Sequence, residues 1–333
     1  MVSILTLALS LMAPTEPTAE VPGVERIRQD AVTLRSLVES PVARAFLDAA
    51  NDLPAISERT VYRDPESRDY YSPGQAEKLE AVLRDKLEEK KLDETFYYDT
   101  KYGTPLAYVR ALEVLGKHGL SDVKSRRLLD FGYGTIGHLR MLASLGADAV
   151  GVDVDTLLPA LYSRPEDTGE IHGGPGPTGR VTLVHGQFPA DEEVNRKIGE
   201  GYDLFISKNT LKNGYLHPER PADPKRLLHL GVDDEAFVRA LFRILKPGGQ
   251  VMIYNLYPAQ APPDKPYIPW ADGRCPFPRS LWESAGFTVV AFDVNDDDAA
   301  RAMAHALGWD AGEGAMDLRK DLFALYTIVE KPR

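Results

Sequence analysis

The spacing of apolar residues changes near residue 120 of the chain. Before that point apolar side chains recur three and four positions apart, as in Ile27, Leu34 and Val38, which is typical of amphipathic helices. The charged stretch 74–92 carries leucines at a similar spacing. No segment here alternates as a strand does, so the pattern predicts a helical cap over residues 24–120.

After residue 120, short apolar runs alternate with amphipathic helical segments. The runs, in chain order, are RRLLDFG, AVGVDV, VTLVHG, DLFISK, QVMIYNLY, FTVVAFDV and LFALYTIVEK. Alternation of this kind predicts a mostly parallel sheet with helices on both faces. Residues 121–333 are therefore expected to form one α/β domain.

Most of the functional information lies in LLDFGYGTIG, between the first predicted strand and its helix. The spacing of Gly132, Gly134 and Gly137 suits a nucleotide-binding turn, for either a nicotinamide dinucleotide or S-adenosylmethionine. Asp130 would repel a pyrophosphate, but it suits a ligand with a free ammonium. Asp153 ends the second strand, where an acid accepts hydrogen bonds from ribose hydroxyls of either ligand. Asp130 therefore favours S-adenosylmethionine over the dinucleotide of an oxidoreductase, whereas Asp153 and the glycines do not distinguish the two ligands.

Four stretches of this chain occur in the order and spacing of class I S-adenosylmethionine-dependent methyltransferases: LLDFGYGTIG, GVDVD, YDLFISKNTL and LFRILKPGGQVMIY. The chain resembles that family over about residues 100–331, and the LKPGG turn is the most discriminating feature. The resemblance implies a seven-stranded, mostly parallel sheet with helices on both faces, its last strand antiparallel. The helical cap predicted from the apolar spacing adds an N-terminal helical extension to this domain. The cofactor would lie across the carboxyl ends of strands one and two.

The resemblance also implies which residues contact the cofactor. Gln187, with Phe188 beside it, falls where the family often has an acid that contacts the adenine amino group. Ile136 departs from the family, because a glycine usually stands there. The cofactor-binding residues implied are Asp130, which orients the ammonium, Gly132 and Gly134, which admit the methionine part, Asp153, which holds the ribose, Gln187 and Phe188.

In such a fold the methyl acceptor lies beyond the ends of strands four and five, under the N-terminal extension. Methyl transfer is an in-line displacement, in which the enzyme mainly aligns the acceptor and excludes water. A hydroxyl or amine acceptor often also needs a base, and His217 and Tyr215 are the catalytic candidates. The candidate substrate-binding residues are Lys208, Asn209, Tyr254 and Asn255.

The predicted function is S-adenosylmethionine-dependent methylation of a small molecule. The alternative is a catalytically inactive nucleoside-binding or structural protein that retains the methyltransferase fold. Ile136 and Gln187 support the alternative, because both depart from the residues that the family places around its cofactor.

The charge, histidine and cysteine content of the chain limits which partners, metal sites and disulfides are expected. The chain has 50 acidic and 39 basic residues and a formal net charge of −11, which disfavours nucleic acid as a partner. His172, His185 and His229 are too scattered in sequence to predict a metal site. The lone Cys275 excludes an intramolecular disulfide. The pattern does not indicate an oligomeric state.

The first 23 residues are predicted to be an apolar leader followed by a linker. Residues 2–13 are apolar enough for the core of a signal peptide but too short to span a bilayer, so the mature form is expected to have no membrane contact. The sequence leaves open whether the protein is exported or stays in the cytoplasm. An active methyltransferase would be cytoplasmic, because its methyl donor is made in the cytosol.

Overall fold

The structure of the chain is a computed structural model that describes residues 23–174, 176–312 and 314–333. The predicted leader lies, except for Gly23, outside these residues. Among them, no helix combines the length and the apolar character needed to cross a bilayer.

Residues 23–120 form an extension made of helices and a small sheet. Its α-helices are α1 (Gly23–Leu34), α2 (Pro41–Asp48), α3 (Pro73–Ala76), α4 (Ala81–Arg84), α5 (Glu94–Asp99) and α6 (Val109–Lys117). Its strands are β1 (Arg59–Arg63), β2 (Tyr70–Tyr71) and β3 (Glu88–Leu92), arranged in the order β2-β1-β3. Both strand pairs are antiparallel.

The structure thus differs from the expectation of a wholly helical cap over residues 24–120. The charged stretch 74–92 contains two short helices and then strand β3, whose five residues pair with all of β1. Strand β3 has the sequence EEKKL, in which neither face is apolar. Its extended form comes from pairing with β1, and local sequence does not report such long-range pairing.

The rest of the chain forms a large sheet flanked by helices. The strands are β4 (Arg127–Phe131), β5 (Asp148–Asp153), β6 (Gly169–His172), β7 (Thr178–His185), β8 (Tyr202–Lys208), β9 (Leu245–Tyr257), β10 (Thr288–Asn295) and β11 (Phe323–Glu330). The helices are α7 (Gly137–Ser144), α8 (Leu157–Leu161), α9 (Glu192–Ile198), α10 (Asn213–Leu216), α11 (Asp234–Ile244), α12 (Arg279–Ser284), α13 (Asp297–Ala306) and α14 (Leu318–Asp321).

The strand order of this sheet is β10-β11-β9-β8-β4-β5-β7-β6. Strands β7, β5, β4, β8 and β9 are parallel, whereas the last strand, β11, runs antiparallel between β9 and β10. The predicted α/β class and the reversed last strand are confirmed. The sheet has eight strands instead of the predicted seven, because the short β6 pairs antiparallel with the edge strand β7.

The two faces of the sheet are covered by different parts of the chain. One face, which includes Ile206 and Met252, shares a hydrophobic core with α1, α2, α6 and α7. The opposite face, which includes Phe205 and Val251, packs against α9, α11 and α12. The extension therefore lies directly against the face that carries Asp130, because Asp130 is in register with Ile206.

Candidate cofactor and substrate site

The glycine-rich turn joins β4 to α7 at the carboxyl edge of the sheet. Gly132 has φ +77° and Gly134 has φ +58°, backbone conformations that residues with a side chain rarely adopt. The Gly132 N–H donates to the carbonyl oxygen of Val152 at 2.8 Å, which ties the turn to the end of β5. The turn therefore needs glycine at these two positions for its shape.

Asp130 is buried at the end of β4, and its two oxygens differ in their contacts. Its Oδ2 accepts a hydrogen bond from the Tyr108 hydroxyl at 2.7 Å and lies 2.6 Å from His138 Nε2. Its Oδ1 is buried without a hydrogen-bond partner among the described residues. The His138 ring stacks on Tyr108 with a centroid separation of 3.6 Å. Burial lowers the pKa of His138, which favours the neutral form of its ring.

Asp153 and Asp155 follow one another at the end of β5. Asp153 accepts hydrogen bonds from the Gly134 N–H at 3.3 Å and the Asp155 N–H at 2.9 Å, and burial raises its pKa to about 6. Burial would also raise the pKa of Asp155, but the Lys101 ammonium at 2.6 Å and the Tyr102 hydroxyl at 2.5 Å lower it overall. Asp155 therefore holds the extension in place, and Asp153 braces the turn.

Side chains from two other segments cover the glycine-rich turn. A Cβ built on Gly134 would lie 2.8 Å from the Tyr102 ring, and one on Gly132 would lie 2.3 Å from Thr210 Oγ1. The Thr100 hydroxyl donates to the carbonyl oxygen of Gly134 at 2.8 Å. The space that a side chain at either glycine would take is therefore filled, by Tyr102 at Gly134 and by Thr210 at Gly132.

The two residues expected near the adenine lie in different surroundings. Gln187 is partly exposed, and its Nε2 donates to the carbonyl oxygen of His229 at 2.6 Å. Phe188 is 1% exposed and packs edge-on against Phe131 and Phe237 in the core of the opposite sheet face. The structure does not bring Phe188 together with Asp130.

Ile136 is fully buried in the core that the sheet shares with the extension. Its N–H donates to the Tyr162 hydroxyl at 3.3 Å. The neighbouring Gly137 begins α7 under Pro105, which a Cβ would approach to 2.9 Å. Ile136, which stands where the family usually has its third glycine, therefore packs in the core beneath the extension.

Two of the four predicted substrate-binding residues lie on the same sheet face as Asp130. Lys208 ends β8 and pairs in register with Tyr254 on β9. The Lys208 ammonium lies 5.7 Å from the centre of the Tyr108 ring. The Tyr254 hydroxyl donates to Asp296 at 2.9 Å, and both oxygens of that carboxylate also accept from Arg110, at 2.5 and 2.6 Å.

The other two, Asn209 and Asn255, use their amides to hold loops. Asn209 Oδ1 accepts from the Leu256 N–H at 2.7 Å. Asn255 is buried, and its Nδ2 donates to the carbonyl oxygens of Leu211 at 2.8 Å and Gly273 at 3.0 Å. Both side chains therefore have local structural partners.

The candidate bases lie after β8, on and beside the short helix α10. Tyr215 is buried with the Lys212 ammonium 5.7 Å from its ring centre, and burial raises its pKa. His217 is exposed and pairs with Asp234 at 2.9 Å. Burial, with the nearby Lys208 charge, lowers the pKa of Lys212 to about 7, but two backbone carbonyl oxygens accept hydrogen bonds from its ammonium.

The deciding observation for the fold is the sheet, in which β11 runs antiparallel between β9 and β10 and the glycine-rich turn follows the central strand β4. The chain has the class I methyltransferase fold. No model of a known protein family matches this methyltransferase-fold chain. No curated protein matches it either.

Solved structures similar to this methyltransferase-fold chain share little sequence with it. A phosphoethanolamine N-methyltransferase of Haemonchus contortus, in complex with phosphomonomethylethanolamine and S-adenosylhomocysteine, is 17% identical with a TM-score of 0.41 over 74% of this chain. The match spans 63% of that enzyme's length. The [4+2]-cyclase SpnF is 16% identical with a TM-score of 0.41, over 96% of this chain and 98% of its own. An S-adenosylmethionine-dependent methyltransferase of Mesorhizobium loti is 17% identical with a TM-score of 0.38, over 66% of this chain and 97% of its own.

In this methyltransferase-fold protein the sequence did not identify the polar contacts around Asp130 and the turn. Tyr108 and Tyr102 reach the turn from the extension, and no spacing rule connects them with it. His138 lies in the first turn of α7, next to the glycines in sequence. This proximity is the feature of the sequence that indicates a place for His138 near the turn.

Proposed function

We propose that the chain is a methyltransferase that uses S-adenosylmethionine to methylate a small molecule. The observation that carries the proposal is the placement of Asp130 and Asp153 at the carboxyl ends of adjacent parallel strands. Asp130 is in register with Gly151, so Asp153, two residues further on, lies on the same sheet face. The glycine-rich turn lies between them, and Asp130 Oδ1 has no hydrogen-bond partner among the described residues.

The polar groups of the site fit this cofactor. Asp130 Oδ1 could accept a hydrogen bond from its ammonium, and Asp153 from its ribose hydroxyls. The side chains of Tyr102 and Thr210 lie against the two glycines, and we expect them to shift when the nucleoside binds. When bound, the cofactor supplies an electrophilic methyl group on a sulfonium.

The chain's own contribution is alignment and the exclusion of water. The extension lies over the turn, which shields it from solvent. We place the acceptor in the apolar groove beside Tyr254, at the end of β9, between α1, residues 104–110 and α13. The Arg110–Asp296 pair beside Tyr254 neutralises its own charges, so the groove suits an acceptor that is largely apolar near the methylated atom.

The predicted bases Tyr215 and His217 remain candidates for an acceptor that must lose a proton. Neither is part of the polar cluster around Asp130 in the described residues. His217 would serve only an acceptor that extends to the protein surface, because its side chain is exposed beside Asp234.

The alternative of a catalytically inactive protein that retains the fold is favoured by one observation. Tyr102 and Thr210 fill the Cβ side of the two glycines, which leaves less room beside the turn. If the nucleoside needs that space and these side chains do not move, the chain keeps the methyltransferase fold without its cofactor.

The test of the proposed function is calorimetric titration of the full chain with S-adenosylmethionine, S-adenosylhomocysteine and NAD in parallel. We expect binding of the two sulfur nucleosides and none of NAD. Binding of NAD alone would overturn the proposal in favour of an oxidoreductase. Absence of binding by all three would favour the inactive alternative.

Asp153→Asn is expected to weaken the binding of S-adenosylhomocysteine by about tenfold or more, since a hydrogen bond to a charged group contributes about 1.5–3 kcal/mol. Burial raises the pKa of Asp153 to about 6, and the ionised carboxylate is the better acceptor for ribose hydroxyls. Affinity in the unchanged chain should therefore increase as the pH rises through about 6. Titrations across this pH range check both expectations.

The control for this prediction is Asp148→Asn, at the other end of the same strand, which should retain both the affinity and its pH dependence. Equal affinity of Asp153→Asn and the unchanged chain would show that Asp153 does not hold the ribose.

A further inference from the structure

The Lys208 side chain is buried, and its ammonium has no anion bonded to it among the described residues. Lys208 is 9% exposed, and within residues 23–174, 176–312 and 314–333 its Nζ makes no hydrogen bond or ion pair. Its closest described contact is the face of the Tyr108 ring, 5.7 Å from the ring centre. A buried ammonium without an anion is unfavourable, so this group is suited to a ligand that brings one.

Asp130 and Lys208 lie side by side on the same face of the sheet. Strands β4 and β8 are adjacent and parallel, and Asp130 is in register with Ile206. Lys208 is two residues further along β8, so its side chain leaves the sheet on the same face as that of Asp130. Strand geometry separates the two Cα atoms by about 8 Å.

Tyr108 contacts both Asp130 and Lys208, but each of these side chains keeps hydrogen-bonding capacity that Tyr108 does not use. Its hydroxyl donates to Asp130 Oδ2, and its ring lies beside the Lys208 ammonium. The positions that remain among the described residues are the Oδ1 acceptor of Asp130, which is buried without a partner, and the Nζ donors of Lys208, whose described contact is the Tyr108 ring. Burial lowers the pKa of Lys208 to about 8, while the Asp130 charge acts to raise it, so the lysine is still mostly charged at neutral pH.

We propose that Lys208 donates to the carboxylate of the α-amino acid from whose ammonium Asp130 accepts, so that the two residues together bind its zwitterionic end. This inference rests on the proposed function and deepens it. The amino acid is the methionine part of the cofactor. Lys208 thus binds the cofactor carboxylate, a role different from the acceptor contact predicted for it from the sequence.

The pair determines which nucleosides bind well. A nucleoside with an ammonium and a carboxylate satisfies both open positions. A nucleoside that lacks the amino-acid part leaves Asp130 Oδ1 and the Lys208 ammonium without a hydrogen-bond partner among the described residues. Selectivity for the complete cofactor product over its truncated analogue is therefore expected.

The experiment is calorimetric titration of the full chain with S-adenosylhomocysteine and with 5′-methylthioadenosine, which lacks the amino-acid part. We expect S-adenosylhomocysteine to bind about tenfold or more tightly than 5′-methylthioadenosine. Lys208→Met should reduce that preference by about tenfold, with the affinity for 5′-methylthioadenosine unchanged, and Asp130→Asn should do the same. Lys208→Arg should retain most of the preference, because it keeps the charge.

The matched control is Lys246→Met, which removes an exposed lysine at the start of β9, at the opposite edge of the sheet. Equal binding of the two nucleosides by the unchanged chain would overturn the zwitterion site but leave the proposed function intact. An equal loss of both affinities in Lys208→Met would also overturn it, since the effect would then be structural. No binding of either nucleoside would overturn the proposed function together with this inference.

Discussion

Replacing Asp167 with alanine is expected to lower the free energy of unfolding by about 3–5 kcal/mol, the range measured when one partner of a buried ion pair is removed. Asp167 is fully buried and accepts from Arg59 at 2.7 Å, from the Tyr97 hydroxyl at 2.8 Å and from the Arg164 N–H at 2.9 Å. Without it, the buried Arg59 guanidinium retains the exposed Glu166 carboxylate at 3.7 Å and the face of the Tyr97 ring, 5.2 Å from its centre. Urea unfolding followed by circular dichroism measures the change.

The matched control for this prediction is Glu88→Ala. Glu88 is exposed on the same small sheet, where it pairs with Lys90 at 2.9 Å and with Arg63 at 3.7 Å. Pairs of this kind contribute at most about 1 kcal/mol. A change in Asp167→Ala no larger than that of the control would contradict the expectation. The contact matters for the site, because Arg59 and Tyr97 belong to the extension whereas Asp167 belongs to the sheet domain.

Phe188→Ala is expected to lower the free energy of unfolding by about 3–5 kcal/mol, because it leaves a cavity among closely packed aromatic rings. The Phe188 ring centre lies 6.1 Å from that of Phe237 and 6.4 Å from that of Phe131, in edge-to-face geometry. Phe188→Leu fills most of the same volume and should cost less than about 1.5 kcal/mol. Urea unfolding of both variants measures these changes.

The same pair of variants tests the adenine contact that the sequence predicted for Phe188. If the ring serves the core, Phe188→Leu should bind S-adenosylhomocysteine as the unchanged chain does. A stable Phe188→Ala variant with weakened nucleoside binding would instead support the adenine contact and contradict the packing role.

The central strands could be predicted from sequence because they are apolar, as strands in a buried position must be. Strands β4, β5 and β8 are buried on both faces and read as short apolar runs bounded by glycine or charge. Strand β3 has no such signal, because its charged residues are largely exposed at the edge of a small sheet. Strand β6 is too short, at four residues, to show an alternating pattern.

The sequence predicted those parts of the site whose residues lie close together along the chain. The positions of Asp130 and Asp153 at strand ends follow from the motif and its spacing. The contacts of Tyr108 with Asp130 and of Tyr102 with Gly134 span 22 and 32 positions, so they depend on how the extension packs. Helical periodicity predicts that such a segment is a helix, but it does not indicate which of its residues reaches the turn.

The hydrophobic core that the extension shares with the sheet makes the two parts interdependent. Val42 and Leu112 of the extension pack in one cluster with Ile206, Met252 and Ala324 of the sheet. If the extension were removed, this face of the sheet would become a contiguous apolar surface, which favours self-association. The extension therefore has a solubilising role besides any part in binding, and the two parts are expected to unfold cooperatively, in a single transition.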